Sequence, residues 1–333
     1  MSYIIYLTVI FAALFIIELF YFRLADKYNI IDKPNERSSH TAVTIRGGGI
    51  IFPVAWLLFF AVSGFQYPWF TAGLVLISAV SFWDDINSLS NRIRLIVHLL
   101  AISLCFYELS LFHLLPLWLI PVVYVVCIGC LNAINFMDGI NGMTGLYALS
   151  ILLSLPFAFL HYDVLREIHP AVFIILALLV FGFFNFRRKA KCFAGDAGSM
   201  SVAYILIFII LSLIFNRWNP ESGQLALNAA HLSFDYKYVL LLSLYGVDAI
   251  LTIVHRLILK ENIFKAHRRH LYQYLANEMK WPHLAVASVY AIIQLLINLW
   301  VINCDVSFLH GILLILFLSI LYIFIKRSIL AVK

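Results

Sequence analysis

Charge is scarce in this sequence. Only 12% of its 333 residues are Asp, Glu, Lys or Arg, while 63% are hydrophobic and the mean hydropathy is +0.96. That balance excludes a water-soluble globular domain. Cysteine is sparse too: there are five, four of them within or beside apolar runs, which argues against a disulfide framework. Cys127-x-x-Cys130 has the spacing of a metal or redox pair but lies inside an apolar run, where packing is the better reading. Internal repeats, low-complexity tracts and a loop long enough to fold outside a membrane are all missing. Residues 1–333 are therefore expected to form one membrane-embedded domain. The net charge of +6 comes from dispersed juxtamembrane residues, which fits anionic lipid headgroups and excludes nucleic acid as a partner.

What fills the chain is apolar runs. A helix needs roughly 20 apolar residues to cross the hydrocarbon core. The pattern predicts an all-α, polytopic protein with about eleven spans. These are 3–22, 47–64, 69–83, 95–112, 117–131, 142–160, 171–186, 199–215, 238–259, 283–303 and 307–325. Lys and Arg are distributed very unevenly among the connecting loops. Twenty of the 23 lie in or beside 23–46, 84–94, 132–141, 187–198, 260–282 and the tail 326–333, leaving Arg166, Arg217 and Lys237 on the opposite side. The positive-inside rule places the first set in the cytoplasm, with the N-terminus outside and the C-terminus inside. The first run is expected to stay as a helix, since no Lys or Arg precedes it, it carries Glu18, and no small-residue cleavage site follows.

Nearly every reactive side chain falls in the basic loops. Asp84-Asp85 ends the third run. Adjacent helical residues point in different directions, so these carboxylates suit different tasks, such as one toward a metal and one toward a substrate group or a basic partner. A solvated helix end is the plainer reading. Asn132, Asn135 and Asp138 recur at a spacing of three and form a strip whose amides suit a nucleobase edge and ribose, with helix capping accounting for one or two of them. Asp196 lies between Gly195 and Gly198 at a span start, as an ordinary helix cap or as a hard oxygen ligand for Mg²⁺. Asn185 and the basic run Arg187, Arg188, Lys189 and Lys191 precede it.

His267-Arg268-Arg269-His270 combines cations and imidazoles, suited equally to phosphate recognition and to an interfacial amphipathic helix. The first loop contributes Asp32, the stretch Lys33 to His40, Arg46 and the triple glycine Gly47-Gly48-Gly49, read as an anion contact or a bare hinge. Glu18 and Asp248 lie within apolar runs, where an acid is costly unless it faces protein or water. Asp248 is placed to orient His255 or Arg256, and Glu18 to pack against a neighbouring helix.

The stretches DKPNERSSHTAVTIRGGG, FWDDINSLSNRIRL, NAINFMDGINGMTG, FNFRRKAKCFAGDAGS and VDAILTIVHRLILKENIFKAHRRHLYQYL, in that order, resemble the polyprenyl-phosphate N-acetylhexosamine-1-phosphate transferases. That superfamily includes the GlcNAc-1-phosphate and phospho-MurNAc-pentapeptide transferases. The resemblance implies a Mg²⁺-dependent (or Mn²⁺-dependent) cytoplasmic site in the plasma (inner) membrane. There, a polyprenyl phosphate takes sugar-1-phosphate from a UDP-amino sugar and UMP leaves. It implies that Asp84, Asp85 and Asp138 are the catalytic acids and that Asp196 with one Asp of the pair, Asp85, holds the metal. Asn132, Asn135, Asn185, His267, Arg268 and His270 fall to the nucleotide and phosphates, supported by Asp248 and Asp32. Two departures stand out: the triple-histidine run of the peptidoglycan branch is missing, which argues against a MurNAc-pentapeptide substrate, and RRKAKCFAGD replaces the usual Pro-bearing version ending FMGD.

UDP-GlcNAc is the leading donor, with 6-deoxy relatives such as UDP-QuiNAc or UDP-FucNAc as the alternative. The downstream polymer and the oligomeric state stay open, a homodimer among the options. An ion-coupled transporter using Glu18 and Asp248 would place polar groups at the bilayer midplane and show paired repeats, and neither is visible. A glycosyltransferase acting on the outer face would carry an acidic motif there. The external loops hold only Asp163, Glu167, Glu221, Asp235 and Asp305, scattered.

Overall fold

The computed structural model describes residues 3–32, 43–158, 169–215, 234–263 and 267–331. The chain is helical almost throughout. Its principal helices are α1 (Tyr3–Lys27), α2 (Ile51–Val62), α3 (Pro68–Ile86), α4 (Asn91–Glu108), α5 (Leu119–Met137), α6 (Met143–Leu152), α7 (Pro170–Asn185), α8 (Gly195–Ile214), α9 (Ser243–Ile258), α10 (His283–Asn303) and α11 (Phe308–Ala331). Each expected apolar run thus carries a helix.

Seven segments among the described residues are long and apolar enough to cross a membrane: Ile4–Lys27, Pro68–Ile86, Leu119–Met137, Gly195–Ile214, Tyr236–Ile258, His283–Asn303 and Phe308–Ala331. The other four runs fall short for identifiable reasons. Gly48–Val62, Met143–Leu152 and Pro170–Asn185 are too short. The helix α4 includes Arg92, Arg94 and Glu108. The run expected over 142–160 breaks after Leu152, with a second short helix at Leu155–Ala158.

The helix α8 is the centre of the bundle and is buried throughout its apolar length, as expected of a helix that is apolar on every side. It packs mainly against α3 and α5. Small residues let neighbours approach and polar ones tie them: Ser201 shares a 2.8 Å hydrogen bond with Ser78 of α3, and the Tyr204 hydroxyl donates to the Ala101 carbonyl of α4 at 2.6 Å. An aromatic cluster of Trp56, Phe59, Tyr67, Phe70 and Phe208 fills the space alongside. The last helix, α11, is the opposite case, exposing most of its apolar surface to its surroundings.

The helix α9 follows a 3₁₀ turn at Tyr236–Leu242. The change of winding frees backbone groups, and Gln294 of α10 meets them by accepting from Leu244 N at 3.0 Å and donating to Leu240 O at 3.0 Å. At the opposite end of α8, a two-stranded antiparallel pair joins β1 (Ile31–Asp32) to β2 (Thr44–Ile45). Ile45 then bridges to Cys192. Through these backbone bonds the first loop is fixed against the segment that leads into Asp196.

Candidate active site

The helix α3 ends in Asp84 and Asp85, and the two carboxylates have different partners. Asp85 reaches the start of α8, where Oδ1 accepts the Asp196 N–H at 2.9 Å and Oδ2 accepts the Ala197 N–H at 3.0 Å. The free N–H groups of a helix start and its positive dipole end make this a favourable place for an anion. Arg46 Nε closes the arrangement at 2.7 Å from Asp85 Oδ1. Burial works against the Arg46 charge, but Asp85, Asp196 and Asp32 outweigh it and raise its pKa. Asp84 accepts from Leu89 N at 2.5 Å and pairs with Arg94 Nε at 3.2 Å.

The geometry requires glycine before Asp196. Gly195 has φ +69°, and a Cβ there would stand 2.5 Å from Asp85 Oδ2. The Asp196 side chain lies against those of Asp84 and Asp85. The triple glycine is neither the anion contact nor the bare hinge considered from sequence. Gly49 packs its backbone directly on Gly198 and Ala194, while Gly48 N donates to Phe193 O at 2.8 Å and Gly49 N to Ala194 O at 3.1 Å. These residues form a close-packed joint that sets the entry of α8.

The amide strip divides its tasks. Asn132 turns back on its own helix, donating to Ile128 O at 2.8 Å, and does not face the cavity described below. Asn135 accepts from the Ser199 hydroxyl at 2.6 Å, tying α5 to α8. Asp138 follows the end of α5. Burial pushes its carboxyl up to about 6, with the nearby Asp85 charge adding to the shift and Thr144 and Arg46 opposing it. Asn185 braces two loops, accepting from Gly142 N at 2.7 Å and donating to Cys192 O at 2.8 Å.

These pieces surround a cavity of about 470 Å³. Of the residues expected from sequence, Asp32, Asn135, Asp138, Asn185 and Asp196 line it, whereas Asp84 and Asp85, expected as catalytic acids, do not and sit behind Asp196. Arg46, Arg94, Asn141, Gln273 and His283 line it as well and were not assigned a role from sequence. In the sequence Arg46 and Arg94 are simply basic residues of juxtamembrane loops. Their signal was proximity to the triple glycine and to the Asp pair.

The basic loop reaches the cavity through its aromatic end. The Tyr272 hydroxyl donates to Phe136 O at 3.0 Å, and Gln273 lines the wall. His267, Arg268 and His270 do not line it. Asp248 orients His270, not His255 or Arg256: its Oδ1 lies 3.1 Å from His270 Nδ1 and 3.1 Å from Leu271 N, and its Oδ2 accepts from Tyr290 at 2.7 Å. Sequence spacing pointed to residues one or two turns away, whereas the chain folds back after Ile258 and brings the loop to the same face. Burial, then the neighbouring His270 and Arg256, pushes His267 down to about 4, so it is neutral at ordinary pH. Glu18 faces protein, as a buried acid must, beside Gly48 and with the Cys192 thiol at 3.9 Å. All five cysteines are free thiols. The stretch 33–40 of the first loop lies outside the described residues.

Among the described residues no three His, Cys, Asp or Glu side chains converge as a complete metal centre. Mg²⁺ does not require one, because it commonly binds through one or two carboxylates plus water and substrate phosphates. The adjoining carboxylates of Asp196 and Asp84 are such a pair of hard donors, in place of the expected Asp196 and Asp85, because both Asp85 oxygens are taken by the start of α8; the repulsion between two carboxylates is what a divalent cation relieves. The donor set fits the ion.

Residues 67–214 match the family described as glycosyl transferase family 4, the superfamily whose motifs the chain resembles. The matched segment contains Asp84, Asp85, Asn135, Asp138, Asn185 and Asp196. No curated protein matches the chain.

Proposed function

With glycosyl transferase family 4 matched across residues 67–214 as the premise, we propose that the protein transfers N-acetylhexosamine-1-phosphate from a UDP-sugar to a polyprenyl phosphate. UDP-GlcNAc is the first choice of donor and a 6-deoxy UDP-amino sugar the second. The observation that carries this reading is the cavity wall, where Asp196, backed by Asp84, stands with Arg46 and Arg94, which supply fixed positive charge. Carboxylates for a cation and guanidinium groups for phosphate are what two mutually repelling phosphates need in order to meet.

In the reaction, an oxygen of the lipid phosphate attacks the phosphorus that bears the sugar. The bond from that phosphorus to the oxygen bridging the two phosphates breaks, and UMP departs with that oxygen. An ionised phosphate is already a competent nucleophile, so attack is direct, without an aspartyl intermediate. Asp196 and Asp84 would hold Mg²⁺, which when bound lowers the repulsion between the phosphates. Asp85, both of whose oxygens accept from the start of α8, holds Asp196 in place. Arg46 and Arg94 face the anionic groups from the cavity wall. Asp138, whose carboxyl is pushed up to about 6, takes up a proton from the lipid phosphate more readily than an exposed aspartate would. Asn135, Asn141 and Gln273 offer amides to the uridine. The bias of Lys and Arg supports a site facing the cytoplasm, where UDP-sugars are made.

The test is a panel of UDP-sugars supplied to purified protein with a polyprenyl phosphate, reading UMP release. Release from one or more amino sugars, dependent on the lipid, is the expected result. No release from any of them, with folded protein, rejects the reading.

A further inference from the structure

The last helix, α11, is a bare apolar rod for most of its length, yet it carries a lysine that is 5% exposed. A lysine near the end of a membrane helix ordinarily extends its ammonium to the headgroups. Lys326 turns inward instead. Its Nζ donates to the main-chain carbonyl of Arg269 at 2.8 Å and to the Tyr322 hydroxyl at 2.7 Å. Tyr322 in turn shares a 2.8 Å hydrogen bond with Thr252 of α9, and Thr252 contacts Asp248 Oδ1 at 3.2 Å.

The chain Lys326, Tyr322, Thr252, Asp248 thus ends on His270. The carboxylate can only accept, so His270 Nδ1 carries the hydrogen of that contact. His270 Nε2 is left buried with no protein partner among the described residues. Lys326 grips the carbonyl of Arg269, Asp248 grips the ring of His270 and the N–H of Leu271, and Tyr290 of α10 fixes the second Asp248 oxygen. Three helices therefore hold three consecutive residues of one loop. Arg269 also pairs with Glu261, which closes the loop on itself. An ammonium and a carboxylate are expensive to bury, and this arrangement uses both to fix a single short backbone segment.

We infer that α11, through Lys326 and Tyr322, is a positioning element that holds the 267–273 loop against the cavity, so that binding of the UDP-sugar depends on a helix that does not itself line the site. The inference rests on the proposed function for the ligand, and on geometry alone for the clamp. Neither Lys326 nor Tyr322 lines the cavity, whereas Gln273, at the end of the gripped segment, does.

Two measurements on Lys326→Met and Tyr322→Phe test it, each made on detergent-purified full-length protein with a thermal midpoint matched to wild type. The first is amide hydrogen exchange over 267–274. Both variants are expected to exchange faster there, Lys326→Met more so, with α8 unchanged. The second is steady-state kinetics, where Lys326→Met is expected to raise KM for the UDP-sugar by about tenfold or more, on the scale of a mispositioned binding group. The KM for polyprenyl phosphate and kcat should change far less, and Lys326→Arg, which keeps donors for the Arg269 carbonyl, should recover most of the loss. Unchanged exchange in the loop overturns the clamp. Faster exchange with an unaltered UDP-sugar KM overturns its role in binding. Should wild-type protein turn over no UDP-sugar, the transferase reading falls, and the exchange result still decides whether the clamp exists.

Discussion

Asp85 caps the helix that begins at Gly195, with its Oδ1 accepting the Asp196 N–H at 2.9 Å across 111 residues of sequence. One carboxylate is thereby made to fix the position of another, because the Asp196 side chain leaves the same residue whose backbone is held. The Arg46 guanidinium, 2.7 Å from the same oxygen, holds Asp85 in place. The twin aspartates are chemically alike and structurally unlike.

Asp85→Ala is expected to destabilise the protein as well as inactivate it. Loss of a helix-capping acceptor alone costs about 1–2 kcal/mol, and the change also strands Arg46 beside a vacated anion site. In an Arg46→Met background the same substitution should cost less, since the pair is removed together. Thermal melts of the four proteins of this cycle check the coupling, and strictly additive losses would show that the two residues do not act as a unit.

Asp196→Asn should behave differently. Its side chain faces the cavity and Asp84, so on the proposed reading its loss removes a cation ligand without removing the helix cap. The rate should drop at least about 100-fold with little change in melting temperature. Chelation should abolish turnover of the wild type, with Mg²⁺ or Mn²⁺ restoring it. Full activity in EDTA would require another mechanism.

Asp138 predicts an acid limb. Its carboxyl is pushed up to about 6, so below that pH it is increasingly protonated and unable to accept a proton. Turnover should decline as the pH falls through about 6, and Asp138→Asn should be slow with no limb there. Stability has the opposite sign. A carboxyl raised above its unfolded value favours the fold while protonated, and that contribution is lost as pH rises from the unfolded value of 3.8 through about 6. Asp138→Asn should therefore melt higher than wild type at alkaline pH and close to it in strong acid. An equal offset at both ends would assign the shift to something else.

Much of this was legible from residues alone. The eleven apolar runs each contain a helix, because hydropathy over such lengths leaves few alternatives. Asp196, Asp138, Asn135 and Asn185 line one cavity, whereas Asp84, Asp85, Asn132, His267, Arg268 and His270 do not. What sequence spacing misjudged were contacts made by chain reversal. Asp248 finds His270 across 22 residues, not His255 about two turns away. The triple glycine is a packing joint because its partner, Gly198, is remote in sequence. Arg46 and Arg94 escaped notice because a basic residue beside a membrane reads first as an orientation signal.

Orientation itself can be tested with the chain's own chemistry. Cys304 is the exposed cysteine of the five, in the turn between α10 and α11, on the side where Lys and Arg are rare. The other four are buried or half-buried in the bundle. If the positive-inside reading holds, an impermeant thiol reagent should label wild-type protein on intact cells, and Cys304→Ser should abolish that labelling. In the Cys304→Ser background, a cysteine replacing Ser90, next to Arg92 and Arg94, should react only after permeabilisation. One replacing Ser222, which lies outside the described residues, should react from outside. Ser90 also caps α4 by accepting from Ile93 N at 3.4 Å, a long and weak contact, so the replacement should leave the fold intact. External labelling at position 90 would place the cavity on the face away from the UDP-sugar supply, and the proposed reaction would lose its donor.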